Sequence, residues 1–314
     1  MKKIGMLGVL TNLGTRLYSH NAGWTHVTRA ILSERFNQNV DIVSNTDDFN
    51  KYDVLVINEG VNFKPGIFNF FGGVQQRQID ALNNFSSYKG DVLYLNYFAD
   101  YTIPCKKRKD LSNYSDLIFP KGTVIDITKY SDSVIVGDSH SISAWSPGKT
   151  INRLDGKTLN GALNIGLKNL IPSDNHKNVQ FYFGNIDVRF HFHRFGGADA
   201  IREIFKKYIE QLINLKKEGY NITLTHLIPV EDESRKIPNT GKYLGKNFFG
   251  SQLERLEYVE HFNSLIEEAA DLLNLKVARW YNLDYNGLSF NDMESRQSVH
   301  IRPSSYINID KIIK

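Results

Sequence analysis

Residues Val134 to Ser141 form an apolar run ending in Gly137-Asp138-Ser139-His140-Ser141, which puts a serine on the turn where a buried strand stops. A serine hydroxyl is a poor nucleophile near neutral pH. It becomes a good one when a base takes its proton and hydrogen-bond donors wait for the charge that develops on the attacked oxygen. A histidine and a set of N–H donors are therefore what the rest of the chain must supply.

Bulk properties narrow the setting. At 314 residues the chain exceeds the size at which one core stays efficient, so two domains are expected. The single Cys105 excludes an internal disulfide and a cysteine-based zinc cluster, and fits a reducing compartment, with cytoplasm the expected location. The start MKKIGMLGVL reads as a first strand rather than a leader, and no apolar stretch approaches the roughly 20 residues of a membrane helix. The net charge is +4, with a local run Lys106-Lys107-Arg108-Lys109 that suits nucleic-acid phosphates or a solvated loop. No G-x-G-x-x-G follows the first strand and no G-x-x-x-x-G-K-[ST] occurs, so no dinucleotide or P-loop cofactor is expected.

The elements that must position the serine follow from periodicity. Ile4 to Leu10, Val40 to Val43, Val54 to Asn58, Asp91 to Tyr97 and Asp116 to Phe119 read as strands, with helices over Ala22 to Phe36 and Gln75 to Phe85. Alternation of this kind predicts a mainly parallel sheet in an α/β domain over residues 1–130, Rossmann-like in type. Lys121 to Ser133 reads as the boundary. Beyond it come strands at Val134 to Val136, Val179 to Phe183, Ile222 to Ile228 and Lys276 to Tyr281. Long helices are expected from Asp199 to Glu218 and Gln252 to Leu273, and a polar loop from Glu231 to Gly250 is long enough to form a lid.

Residues 131–314 resemble the SGNH, or GDSL-type, hydrolases in motif order and element order. The resemblance implies a flavodoxin-like three-layer α/β/α domain, with Ser139 as nucleophile, Gly161 as an oxyanion glycine and His300 as base. Two blocks depart from the family pattern. Gly184-Asn185-Ile186-Asp187 has isoleucine where an asparagine is usual, leaving Asn185 next door to offer its amide. Gln297 stands three residues before His300 where an aspartate is usual, so a Ser–His dyad, or Asp292 or Glu294 as a displaced orienting acid, is implied. The string Phe183 to His191 is similar to an F-G-E-I-D-x-R-x-H variant of these proteins.

Neighbouring polar residues suggest how substrate is held. Arg189, His191 and Arg194, together with Asp138, His140 and Asp187, are candidates to contact an anionic or sugar substrate, because guanidinium forks suit carboxylate and phosphate. His191-Phe192-His193, read as a strand, would put two imidazoles on one face near Asp187 and His140; a metal is conceivable there but not expected. In the first domain, Asn62-Phe63 through Phe70-Phe71-Gly72-Gly73 and then Tyr94 to Tyr101 are similar to the N-terminal lobe of phage DNA β-glucosyltransferase, which implies Asp100 as a base.

The sequence thus points to a serine esterase or acyltransferase acting on an ester of a carbohydrate or related polar, small-molecule or glycan substrate. A transferase modifying DNA or a glycan through Asp100, and a non-catalytic sugar-binding module, are the alternatives.

Overall fold

In the computed structural model the described residues are 2–7, 20–43, 47–57, 87–96, 123–126, 131–234, 245, 247–294 and 298–308. The helix expected over 75–85, the strand expected over 116–119, Asp100, the basic run Lys106, Lys107, Arg108 and Lys109, and Gln297 all lie outside them. The chain divides into two compact units, the first mainly Asn21–Tyr130 with the N-terminal strand and the second mainly Ser131–Lys311.

The first unit holds a parallel sheet of β1 (Ile4–Leu7), β2 (Val40–Val43), β3 (Val54–Ile57), β4 (Asp91–Asn96) and β5 (Thr123–Asp126), in the order β2-β1-β3-β4-β5. The strands are rich in β-branched and aliphatic residues because a parallel strand is covered on both faces, and Met6, Val40, Leu55 and Val56 are buried. Between β1 and β2 runs α1 (His20–Phe36), whose Val27, Ala30 and Ile31 recur at helical spacing and are buried. Two expectations change. The strand order is the flavodoxin-type 2-1-3-4-5 rather than the Rossmann 3-2-1-4-5-6. Thr123-Val124-Ile125-Asp126, read as part of a boundary, instead pairs with β4 as an edge strand, which its β-branched run explains.

The second unit repeats the order with five more parallel strands: β6 (Ser133–Gly137), β7 (Thr150–Arg153), β8 (Asn178–Tyr182), β9 (Asn221–Thr225) and β10 (Lys276–Ala278), arranged β10-β9-β8-β6-β7. Its helices are α2 (Leu159–Ile165), α3 (Asn185–Phe190), α4 (Ala198–Lys217) and α5 (Gln252–Leu273). Strand β7 was not expected, since Thr150-Ile151-Asn152-Arg153 lacks a long apolar run; all four residues are nevertheless buried.

Right-handed crossovers put α2, α4 and α5 on one face of this sheet, and contacts of α4 with both α2 and α5 agree. The stripe Ile201, Phe205, Tyr208, Leu212 and Leu215 of α4 is buried, and Phe205 meets Phe262 of α5 edge to face at 5.3 Å. A capping box of Ser251 and Glu254 starts α5. Because β6 leads to β7 on one side while β8 flanks it on the other, the carboxyl ends of β6 and β8 form the switch point where such sheets place ligands. Among the described residues no helix is long and apolar enough to cross a membrane.

Candidate active site

Ser139 sits at that switch point, two residues beyond the end of β6. Gly137 allows the strand to close on its neighbour: a Cβ there would collide with the carbonyl oxygen of Tyr182 on β8. The Asp138 N–H donates to that same oxygen at 3.0 Å, and the Ser141 N–H donates to the Asp138 carbonyl at 3.0 Å, so the turn carrying Ser139 is fixed from both ends.

His300 reaches the serine from the far end of the chain. Met293 and Ile301 form an antiparallel bridge, and the Glu294 N–H donates to the His300 carbonyl at 3.0 Å. The bridge presents the imidazole so that His300 Nε2 lies 2.7 Å from Ser139 Oγ. The serine is 8% exposed and the His300 side chain 17%, so the pair is largely shielded yet open to a small group.

Behind His300 stands Glu294. Its Oε2 is 3.8 Å from His300 Nδ1, and its side chain is 1% exposed. Ser298 fills the angle between them: its hydroxyl donates to Glu294 Oε2 at 3.2 Å, lies 3.4 Å from His300 Nδ1, and accepts from the His300 N–H at 3.0 Å. Asp292, also a candidate orienter, points elsewhere. Its carboxylate accepts from the Ser289 N–H at 2.8 Å and the Ser289 hydroxyl at 2.9 Å, closing its own turn.

The expected oxyanion donors fall differently. The Gly161 N–H is spent on Thr158 Oγ1 at 3.0 Å, the N-cap of α2. Asn185 Nδ2 lies 3.5 Å from Asp138 Oδ2, so this amide faces the carboxylate beneath the serine turn. Sequence reasoning missed Gly156. It lies in the turn after β7, which pairs with β6 so that Arg153 faces Gly137, and it adopts a φ of +70°. Neither the Gly156 N–H nor the Ser139 N–H has a hydrogen-bond partner among the described residues. The signal was an Asp155-Gly156 turn two residues past a strand that its mixed polarity concealed.

The residues nominated to hold substrate are mostly internal. Arg189 is buried and forked onto Glu231, with Nε donating to Oε2 at 2.9 Å and Nη2 lying 2.8 Å from the same oxygen; its Nη1 donates to the Asn185 carbonyl at 2.9 Å. It is a structural pair rather than a substrate fork. Asp187 is buried, and its Oδ2 accepts from the Leu159 N–H at 2.8 Å at the start of α2. Burial pushes its carboxyl up to about 7, and Asp138 adds to the rise while the backbone donors oppose it.

Asp138 and His140 are also buried, bonded to each other through Asp138 Oδ1 and His140 Nδ1 at 3.1 Å. His191 through Phe195 is not a strand. The segment passes from the end of α3 into a 3-10 turn, so His191 and His193 diverge: His191 stacks on Phe195 with centroids 6.1 Å apart, while His193 Nδ1 lies 3.3 Å from the Tyr258 hydroxyl. Among the described residues no group of three or more His, Cys, Asp or Glu is arranged to hold a metal ion.

No family model matches the chain, and no curated protein matches it. Among solved structures, the psychrotrophic esterase EstA from Pseudoalteromonas sp. is similar at 15% identity, over 58% of this chain and 94% of that one, with a TM-score of 0.37. A protein described as lipolytic and of the G-D-S-L family, from Desulfitobacterium hafniense DCB-2, has 12% identity over 58% of this chain and 97% of that one, with a TM-score of 0.40. The acetyl xylan esterase AlAXEase has 16% identity over 57% of this chain and 97% of that one, with a TM-score of 0.37.

Proposed function

We propose that the chain is a serine esterase of the SGNH type, with Ser139 as nucleophile, His300 as base and Glu294 as the acid that orients it. The observation that carries this reading is the 2.7 Å hydrogen bond between Ser139 Oγ and His300 Nε2, made by residues 161 positions apart. A module that only binds sugar has no need of that bond.

In the proposed reaction Ser139 Oγ attacks the ester carbonyl as its proton passes to His300 Nε2. The Ser139 and Gly156 N–H groups, unspent at the ends of adjacent strands, are the proposed donors to the oxyanion. Collapse breaks the ester C–O bond, and His300 returns the proton to the departing alcohol. Water, deprotonated by His300, then attacks the acyl-serine; the second collapse breaks the bond between Ser139 Oγ and the acyl carbon, His300 returns the proton to Oγ, and the acid is released. In transfer, a hydroxyl of a second substrate would take the place of water in that step.

The substrate is proposed to be an ester of a carbohydrate or related polar molecule. What supports this is the far end of α3, the helix whose first residue, Asn185, faces Asp138. There Phe195 is 66% exposed, His191 stacks on it, and the Arg194 guanidinium lies 5.5 Å from its ring centroid, a mixed aromatic and cationic surface suited to polar rings and anions. The alternative transferase reading depends on Asp100, and no observation among the described residues favours it.

The test is hydrolysis of p-nitrophenyl acetate by the full chain. Turnover that vanishes in Ser139→Ala and falls by on the order of 10³-fold in His300→Ala supports the reading. Turnover unchanged in Ser139→Ala sinks it.

A further inference from the structure

Two consecutive residues of the serine turn grip two consecutive residues of the base-bearing loop. Ser139 Oγ bonds His300 Nε2 at 2.7 Å, and next to it His140 Nε2 lies 2.9 Å from the carbonyl oxygen of Val299. A carbonyl oxygen can only accept, so His140 donates at Nε2. On the other side of the ring, Asp138 Oδ1 lies 3.1 Å from His140 Nδ1 and accepts from the His140 backbone N–H at 2.8 Å. The two imidazoles stand 4.8 Å apart, centroid to centroid.

We propose that His140, held by Asp138, is a positioning residue that docks the Val299–His300 segment and so sets the approach of His300 to Ser139. The proposal rests on the esterase reading above. His140 is 2% exposed, so its ring acts through the loop and not on substrate. The need for such a tie follows from the chemistry. The Ser139–His300 bond is consumed when the proton moves, leaving nothing in that pair to keep the imidazole in register while the leaving alcohol collects the proton. The bond from His140 to Val299 involves no reacting atom and persists through both steps. Misplacement of a catalytic group by about 1 Å is enough to cost on the order of 10²-fold in rate.

Two substitutions separate this role from general support of the fold. In His140→Gln the side-chain amide can place an N–H near the Nε2 position, keeping the donor to Val299. In His140→Asn the shorter amide can place one near Nδ1, keeping Asp138 and losing Val299. The expected result is a fall in kcat on the order of 10²-fold for His140→Asn, with KM little changed. Faster hydrogen–deuterium exchange in the peptide spanning residues 298–302 should accompany it, while His140→Gln recovers most of the rate and the protection at a similar thermal midpoint. Equal kcat values in the two variants, or exchange in His140→Asn that matches the unsubstituted protein, would overturn the proposal. Exchange needs no turnover. If the unsubstituted chain hydrolyses nothing, the esterase reading falls by that result, and the exchange comparison still decides whether His140 holds the loop.

Discussion

Glu294, six residues before His300, stands behind the imidazole: its Oε2 lies 3.8 Å from His300 Nδ1, with the Ser298 hydroxyl bonded to that same carboxylate oxygen. An orienting acid need not come from a fixed sequence spacing. A loop closed by the Met293–Ile301 bridge brings position 294 under position 300. Glu294→Gln should therefore lower kcat for p-nitrophenyl acetate by on the order of 10²-fold, because the amide stabilises the imidazolium less. Asp292→Asn should leave turnover near its original level and cost about 1 kcal/mol of stability through the Ser289 turn. The reverse ranking of the two variants would remove Glu294 from the proposed machinery.

Asp187 makes stability depend on pH. Its folded carboxyl sits at about 7, above the value near 4 expected for an unfolded aspartate. Between those values the unfolded state releases the proton and the folded state keeps it, so the unfolded state binds fewer protons and folding stability falls as pH rises through this window. The effect is on the order of a few kcal/mol once both states are ionised. Urea unfolding from pH 4 to pH 8 should show this decline, and Asp187→Asn should flatten it. A slope that survives in the variant would assign it to other groups.

The Arg189–Glu231 pair predicts a large cost for removing one partner. Both side chains are almost fully buried, and Arg255 adds a hydrogen bond from Nη2 to the Glu231 carbonyl at 2.8 Å. Arg189→Ala should lose about 3 to 5 kcal/mol in urea unfolding, because Glu231 loses the guanidinium that meets its buried carboxylate. Replacing both residues together by methionine should cost less than the single change. A double variant as unstable as Arg189→Ala would mean that volume, not charge pairing, dominates at this position.

What was legible in the sequence depended on how local its cause is. Strands β1 to β3, the serine turn and the long helices α4 and α5 follow from uninterrupted periodicity. Strand β7 was hidden because Asn152 and Arg153 are buried by neighbours distant in sequence, and the Asn152 side chain is satisfied by the Leu170 carbonyl at 2.6 Å. Gly161, nominated by its place in the family pattern, has its N–H on a helix cap. Arg189 could not be told from a substrate-binding arginine without its partner at position 231. His191 and His193 read as alternating because periodicity over three residues does not separate a strand from a helical turn.

Whether Ser139 is a nucleophile activated by His300 is decided by a fluorophosphonate probe, with the adduct located by peptide mass mapping. One adduct is expected, on Ser139, absent in Ser139→Ala and strongly slowed in His300→Ala. Labelling that persists in Ser139→Ala, or no adduct on the unsubstituted chain while p-nitrophenyl acetate also goes unhydrolysed, would contradict it.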